Sequence, residues 1–412
     1  MIQFRDYQKQ IIEKSVEVLS KHRFLYLSME VRTGKTLTSL GCLNKMMSVN
    51  NVLFITKKKA IGSIESDYSM LNPSYNIFVV NYESLHKIKQ RGWDAIVCDE
   101  AHSMGAFPKP SKRAKQVKSL ILTNNPYVVL LSGTPTPESF SQMYHQVFGI
   151  PNNPFNEYST FYKFAREHVN VTQRKINGFM VNDYSNAKET VLHEMQPYMI
   201  SYTQKEAGFE TTIKEIVLYV DAPDFIYKMC SDLKRDLVVE GSDEVVLADT
   251  SVKLMQKLHQ MYSGTVKFES GNSMVLNTFK AEYIKKTFKG KKIAVFYKFK
   301  EEYNALKEVY GEQICNTLED FKNTDKNIAL QIVSGREGIS LKEADCLVYY
   351  NIDFSATSYW QSRDRMTTKN RLKNNVYWVF TRKGIEPDIY RAVTKKKDYT
   401  LRHFKKDLLT LI

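Results

Sequence analysis

The sequence predicts an α/β fold organised around a buried parallel sheet, on three observations. Short apolar runs rich in β-branched residues recur at Val52-Leu53-Phe54-Ile55, Ile77-Phe78-Val79-Val80, Ala95-Ile96-Val97-Cys98 and Val128-Val129-Leu130-Leu131, separated by stretches of helix length. Strands covered on both faces by crossover helices read this way. A further apolar segment, Phe24-Leu25-Tyr26-Leu27, breaks into a tight loop ending Gly34-Lys35-Thr36 and continues into a helical pattern. Two of the runs end in polar residues, at the strand ends where such sheets bind ligands.

Taken in order, Arg5-Asp6-Tyr7-Gln8 precedes a helical pattern with Ile11, Ile12, Val16 and Leu19 on one face. The Gln8 amide, one donor and one acceptor, suits an adenine edge, although a surface glutamine is the plainer alternative. The loop after Phe24-Leu25-Tyr26-Leu27 has the layout of a nucleotide phosphate cradle: the backbone of Arg32, Thr33 and Gly34 and the helix N-terminus face the anion, Lys35 reaches the β and γ phosphates, and the Thr36 hydroxyl binds the metal ion. Met29 stands where the full pattern opens with glycine, and Gly-Lys-Thr alone also fits an ordinary helix start.

The strand at Ala95-Ile96-Val97-Cys98 runs directly into Asp99-Glu100-Ala101-His102. Adjacent carboxylates at a strand end suit phosphoryl transfer to water, with Asp99 holding Mg²⁺ and Glu100 activating the attacking water. The strand at Val128-Val129-Leu130-Leu131 ends in Ser132-Gly133-Thr134-Pro135, and the hydroxyls of Ser132 and Thr134 are placed to bond the carboxylate and His102 and to couple phosphate occupancy to the rest of the protein.

At 412 residues the chain has room for two or three domains, each with a core. No run approaches the roughly eighteen apolar residues of a membrane span, and Met1-Ile2-Gln3-Phe4-Arg5-Asp6 carries charge where a secretory leader is apolar. A cytoplasmic protein without a membrane partner is expected. Cys42, Cys98, Cys230, Cys315 and Cys346 are scattered and never spaced Cys-x-x-Cys, which points to small buried apolar residues rather than a disulfide framework or a zinc site. The formal charge of +14 favours a polyanionic partner, a generally basic surface being the alternative.

Gly34-Lys35-Thr36, Asp99-Glu100-Ala101-His102 and Ser132-Gly133-Thr134-Pro135 stand in the order and spacing of three motifs of superfamily 2, so the chain resembles DEAH-box helicases and translocases of that superfamily. The likeness is closest to the Snf2-like branch and to short phage-encoded helicases, through Arg5-Asp6-Tyr7-Gln8, Val80-Asn81-Tyr82-Glu83-Ser84 and Trp93-Asp94. It implies a P-loop NTPase core of two RecA-like parallel-sheet domains, with ATP and Mg²⁺ as cofactors.

A second domain of the same type is then expected. Lys292-Ile293-Ala294-Val295-Phe296-Tyr297 reads as its first strand and resembles motif IV; residues 328–333 form another, ending in Ser334-Gly335-Arg336-Glu337-Gly338-Ile339, which resembles motif V and implies Gly338 at the nucleotide. Further strands follow at Cys346-Leu347-Val348-Tyr349-Tyr350 and Val376-Tyr377-Trp378-Val379-Phe380. Between them Tyr359-Trp360-Gln361-Ser362-Arg363-Asp364-Arg365 resembles motif VI, where family members place two arginines three residues apart across the ATP cleft. Arg365 keeps the first position, and the second falls on Thr368. Arg365 is therefore expected at the γ-phosphate with Gln361 beside it, while Arg363 and Arg371 stay open as substitutes.

These readings divide the chain into a first domain at 1–150, a mainly helical insertion at 151–290, a second domain at 291–385 and a basic C-terminal helix at 386–412 packing back on the core. In the insertion, Phe155, Tyr158, Phe161, Tyr162 and Phe164 read as a small core rather than a base-stacking platform, residues 221–237 and 254–262 as helices, and 241–242 and 264–272 as mobile loops.

The resemblance implies that ATP sits between the two domains and that hydrolysis drives movement along a phosphate backbone in DNA replication, recombination or repair, by a monomer working with proteins of those pathways. Nucleic acid is expected at Lys57 and Lys58, at Asn81 and Ser84, at Lys298, and at Ser334 and Arg336, with DNA favoured over RNA. An RNA-directed helicase and a nucleic-acid loading module with a weakened ATPase are the rivals.

Overall fold

The structure is a computed structural model and describes residues 3–176, 179–241, 244–335, 339–368 and 371–395. The chain forms two compact units, Met1–Phe209 and Glu210–Ile412.

The first unit contains strands β1 (Phe24–Met29), β2 (Asn51–Thr56), β3 (Asn76–Asn81), β4 (Ala95–Cys98), β5 (Tyr127–Leu131), β6 (Thr172–Ile176), β7 (Phe179–Asp183) and β8 (Met199–Tyr202). Its helices are α1 (Asp6–His22), α2 (Lys35–Asn44), α3 (Ile61–Leu71), α4 (Lys112–Asn124), α5 (Gln142–Gln146), α6 (Phe161–His168) and α7 (Thr190–Met195). Six strands make one all-parallel sheet in the order β3-β2-β4-β5-β1-β8. Side chains alternate across it. Phe24 and Tyr26 of β1 enter one core with α4 and α6, while Leu25, Leu27 and Met29 enter the other with α1, α2 and α3. Both faces are dry, which is why these strands read as unbroken apolar runs.

The second unit repeats the plan with β9 (Thr212–Val220), β10 (Val238–Glu240), β11 (Val245–Leu247), β12 (Thr265–Lys267), β13 (Ser273–Val275), β14 (Ile293–Tyr297), β15 (Ile314–Cys315), β16 (Asn327–Gln331), β17 (Cys346–Tyr349) and β18 (Lys373–Thr381). Its helices are α8 (Asp224–Asp236), α9 (Ser251–Tyr262), α10 (Phe279–Thr287), α11 (Lys300–Tyr310), α12 (Leu318–Asn323), α13 (Ile332–Gly335), α14 (Ala356–Ser362) and α15 (Glu386–Val393). Its parallel sheet runs β15-β16-β14-β17-β18-β9. The expected α/β class, two RecA-like parallel-sheet domains, is what the chain adopts.

The domain boundaries differ from the sequence reading. Residues 151–290 form no separate body: β8 joins the first sheet beside β1, and β9 is the edge strand of the second. β8 is only four residues long, and every position of β9 is exposed or half-buried, although Ile216-Val217-Leu218-Tyr219-Val220 is itself an apolar run that the sequence reading passed over. Two of the expected helices are present as α8 and α9. The aromatic cluster does form core, with Phe155, Phe161 and Phe164 buried, but it belongs to the first unit. The segment at 264–272 was expected as a loop; it opens with β12, which pairs with β13. Ser242 of the other expected loop, and the lysines beyond 395, lie outside the described residues. In the 386–412 region α15 turns Ile389 and Val393 into the core.

All five cysteines are free and buried. Among the described residues no helix is long and apolar enough to cross a membrane.

Candidate active site

The loop between β1 and α2 is held from outside by its carbonyls. Tyr7 Oη donates to Thr33 O (2.9 Å), Gln8 Nε2 and Thr38 Oγ1 donate to Gly34 O (3.4 and 3.0 Å), Thr33 Oγ1 donates to Glu30 O (2.8 Å), and Gln204 Nε2 donates to Val31 O (2.8 Å). Carbonyls committed to these donors leave the first-turn amides of α2, which have no intrahelical acceptor, for an anion. Gln8 is itself fixed, its Oε1 accepting from Arg5 N at 3.0 Å, so it braces the loop. The Tyr7 ring stacks on Tyr202 at 4.7 Å.

Arg32 and Gly34 both take left-handed backbone, at φ 68° and 82°. A Cβ on Gly34 would also collide with Gln8 Nε2. Gly34→Ala is therefore expected to cost about 1–2 kcal/mol from backbone handedness alone and to push Gln8 off the loop, read as a lower melting temperature and weaker nucleotide binding. Unaltered binding would contradict this account of the loop. Met29, which stands where the full pattern has glycine, is the last residue of β1 and fully buried in its core.

The acidic pair is delivered by β4. Register pairs Ile55 with Cys98, so the next residues, Thr56 and Asp99, meet, and Thr56 Oγ1 donates to Asp99 Oδ2 at 2.9 Å. Asp99 Oδ1 is buried with no hydrogen-bond partner among the described residues. Burial first, and then the neighbouring Glu100, push the Asp99 carboxyl up to about 6. An orphaned buried carboxylate oxygen of raised pKa is the environment that a divalent cation relieves, so the residues present fit Mg²⁺. Among the described residues no cluster of three or more His, Cys, Asp and Glu could hold a metal by itself. An ion held by one carboxylate, the Thr36 hydroxyl and phosphate oxygens accords with the habits of Mg²⁺.

Glu100 adopts a left-handed φ of 51°, which turns its carboxylate back toward the loop. Its Oε1 lies 3.8 Å from Lys35 Nζ and its Oε2 3.3 Å from His102 Nδ1. Ser132 Oγ is 3.1 Å from His102 Nδ1 and accepts from Thr134 N at 3.1 Å. Ser132 is thus joined to the histidine. Thr134 contributes its backbone, its hydroxyl being buried without a hydrogen-bond partner among the described residues. Lys35, Asp99, Glu100, His102 and Ser132 converge at the carboxyl ends of β1, β4 and β5.

In the second unit Gln361 and Arg365 are each 5% exposed. Arg365 Nε donates to Gln361 O at 2.8 Å, and Gln361 Oε1 is buried without a hydrogen-bond partner among the described residues. The two substitute arginines are committed to structure. Arg363 pairs with Glu215 (2.6 Å) and lies over the Trp360 ring, and Arg371 donates to the carbonyls of Lys342, Ala344 and Asp345. Gly338 and Arg336 lie outside the described residues.

One expected nucleic-acid contact is corrected. Lys298 Nζ is bound to Asp353 Oδ1 at 2.8 Å and sits 3.7 Å above the Phe354 ring, so its charge is neutralised within the fold. Lys58 is exposed and Lys57, Ser84 and Asn81 are partly exposed; Ser334 Oγ donates to Gln331 O at 3.2 Å. Sequence reasoning missed Tyr7 and Gln204 as loop braces and Thr56 as the partner of Asp99. Strand register would have found Thr56, given the pairing of β2 with β4.

Comparison with known proteins bears on this site directly. Residues 43–221 match the family model of the SNF2-related domain, and residues 1–69 match that of the type III restriction enzyme, res subunit. The first unit is similar to the Snf2-like branch of superfamily 2. The two matches together cover the phosphate loop, the acidic pair and the whole sheet of the first unit. A solved structure described as the Sulfolobus solfataricus SWI2/SNF2 ATPase core in complex with dsDNA is 16% identical over 96% of this chain and 91% of that chain, with a TM-score of 0.44. No curated protein matches the chain.

Proposed function

We propose that this Snf2-like protein is a nucleic-acid-stimulated ATPase that tracks along duplex DNA in replication, recombination or repair. The observation that carries the reading is the convergence of Lys35 and Glu100, 3.8 Å apart, beside a buried Asp99 with an uncommitted oxygen. The loop amides and Lys35 bind the triphosphate and orient its terminal phosphorus. Mg²⁺, held by Thr36 and Asp99, would offset charge on the phosphate oxygens. Glu100 takes the proton of the attacking water, with Lys35 and His102 fixing its carboxylate. Arg365 is the guanidinium assigned to charge developing on the transferred phosphoryl group, with Gln361 beside it.

Ser132 and Thr134 connect His102 to the turn after β5, a route by which phosphate occupancy reaches the rest of the chain. Gln8 is assigned to the adenine edge and Gly338 to the nucleotide. DNA is assigned to Lys57, Lys58, Asn81, Ser84, Ser334 and Arg336, groups that hold phosphates without reading bases. Binding is accordingly expected to be indifferent to sequence and sensitive to salt, log affinity falling by about 0.9 per phosphate neutralised on duplex for each tenfold rise in salt. A salt-independent affinity would exclude this mode.

The deciding experiment measures ATP turnover with single-stranded DNA, duplex DNA and RNA. Duplex stimulation supports the reading, stimulation by RNA alone replaces the track, and binding without turnover leaves a loading module.

A further inference from the structure

Glu215 lies on β9, in a stretch that no motif covers, yet its carboxylate is a meeting point of the second unit. It accepts from Tyr359 Oη (2.7 and 2.9 Å to its two oxygens), Arg363 (2.6 Å), Trp378 Nε1 (2.9 Å) and Tyr390 Oη (3.1 Å). Its side chain is 15% exposed. Aromatic rings form much of the enclosure: Tyr359 stacks on Trp378 at 5.4 Å, Tyr390 packs against both, and the Arg363 guanidinium lies 3.9 Å over the Trp360 ring. A carboxylate in so apolar a setting needs its donors. They in turn have no comparable acceptor if it is removed.

Two of the four partners, Tyr359 and Arg363, belong to α14 and the residue that follows it; the others come from β18 and α15. α14 has only seven residues, too few to hold a fixed attitude without tertiary support. It carries Gln361, and Arg365 follows two residues after Arg363, tied back by its bond to Gln361 O. We propose that Glu215 is a positioning residue for ATP hydrolysis, fixing through Tyr359 and Arg363 the attitude of the helix that presents Gln361 and Arg365. The proposal rests on the ATPase reading above. It makes Arg363 a support for Arg365 instead of its replacement.

The test is steady-state ATP turnover of Glu215→Gln with saturating duplex DNA, beside Asp221→Asn, which alters only an exposed surface pair with Arg382. Glutamine keeps the shape and one acceptor but loses the charge that holds Arg363. The expected result is a fall in kcat of roughly 10²-fold, the scale of an ångström-sized misplacement of a reacting group, with the KM for ATP and the affinity for DNA within about twofold of wild type. Glu215→Gln combined with Arg363→Gln should be no slower than either single variant, because both act through one contact.

Unchanged kcat, or a loss of kcat matched by equal losses of nucleotide and DNA binding, overturns the proposal. Should Glu215→Gln fail to fold, Tyr390→Phe, which removes one donor to the same carboxylate, decides: reduced kcat at constant KM supports the role and wild-type kcat rejects it. A wild-type protein that does not hydrolyse ATP defeats the functional reading itself, whereas an active wild type with an equally active Glu215→Gln defeats this inference alone.

Discussion

Glu100→Gln lowers ATP turnover on the order of 10²- to 10⁴-fold, the range a positioned general base supplies, while ATP binding stays near the wild-type value. The substitution is nearly isosteric and leaves the left-handed backbone at φ 51° in place. What disappears is the negative charge between Lys35 and His102, and with it the group proposed to accept the water proton. Left-handed conformation at a non-glycine residue is costly, and here it turns the carboxylate toward the loop instead of along the strand. Single-turnover hydrolysis with binding of a fluorescent ATP analogue checks both halves of the expectation. Undiminished turnover would remove Glu100 from the chemistry and with it the proposed mechanism.

Arg365→Ala produces a loss of similar or larger size, on the order of 10³- to 10⁵-fold if it alone supplies the cation that stabilises the transferred phosphoryl group. The comparison with its neighbours is the informative part. Arg371→Ala releases three backbone carbonyls around residues 342–345 and should show chiefly as a lower melting temperature. Arg363→Ala leaves Glu215 without its cation and should fall between the two, with binding of ATP retained. If Arg365→Ala turned over ATP as fast as wild type, the assignment would move elsewhere. Thr368, at the second expected position, offers no cation, and its carbonyl accepts from Thr211 Oγ1 at 3.4 Å.

Sequence was informative where chemistry is local. The buried strands β1, β2, β4 and β5 announced themselves as apolar runs because both faces are dry, and the loop and the Asp99-Glu100 pair sit at their ends. Contacts between residues far apart in the chain left no such mark. Gln204 reaches Val31 across 173 positions and Thr56 reaches Asp99 across 43, and nothing in either local sequence announces its partner. Lys298 looked like a loop lysine open to phosphate, whereas Asp353, 55 positions on, takes its charge. β9 was missed for a different reason: it is the edge strand of its sheet, and its apolar run at Ile216-Val217-Leu218-Tyr219-Val220 precedes β14 by more than seventy residues, so the segment containing it resembled an insertion.

The groups that cap the phosphate-loop carbonyls are a phenol, two carboxamides and two hydroxyls, from Tyr7, Gln8, Gln204, Thr33 and Thr38. None of them carries a formal charge. Dissolved ions therefore have little purchase on the shape of the nucleotide seat, while they compete directly for the lysines assigned to the polymer. On the proposed function, rising ionic strength should weaken nucleic-acid binding well before it disturbs the nucleotide seat.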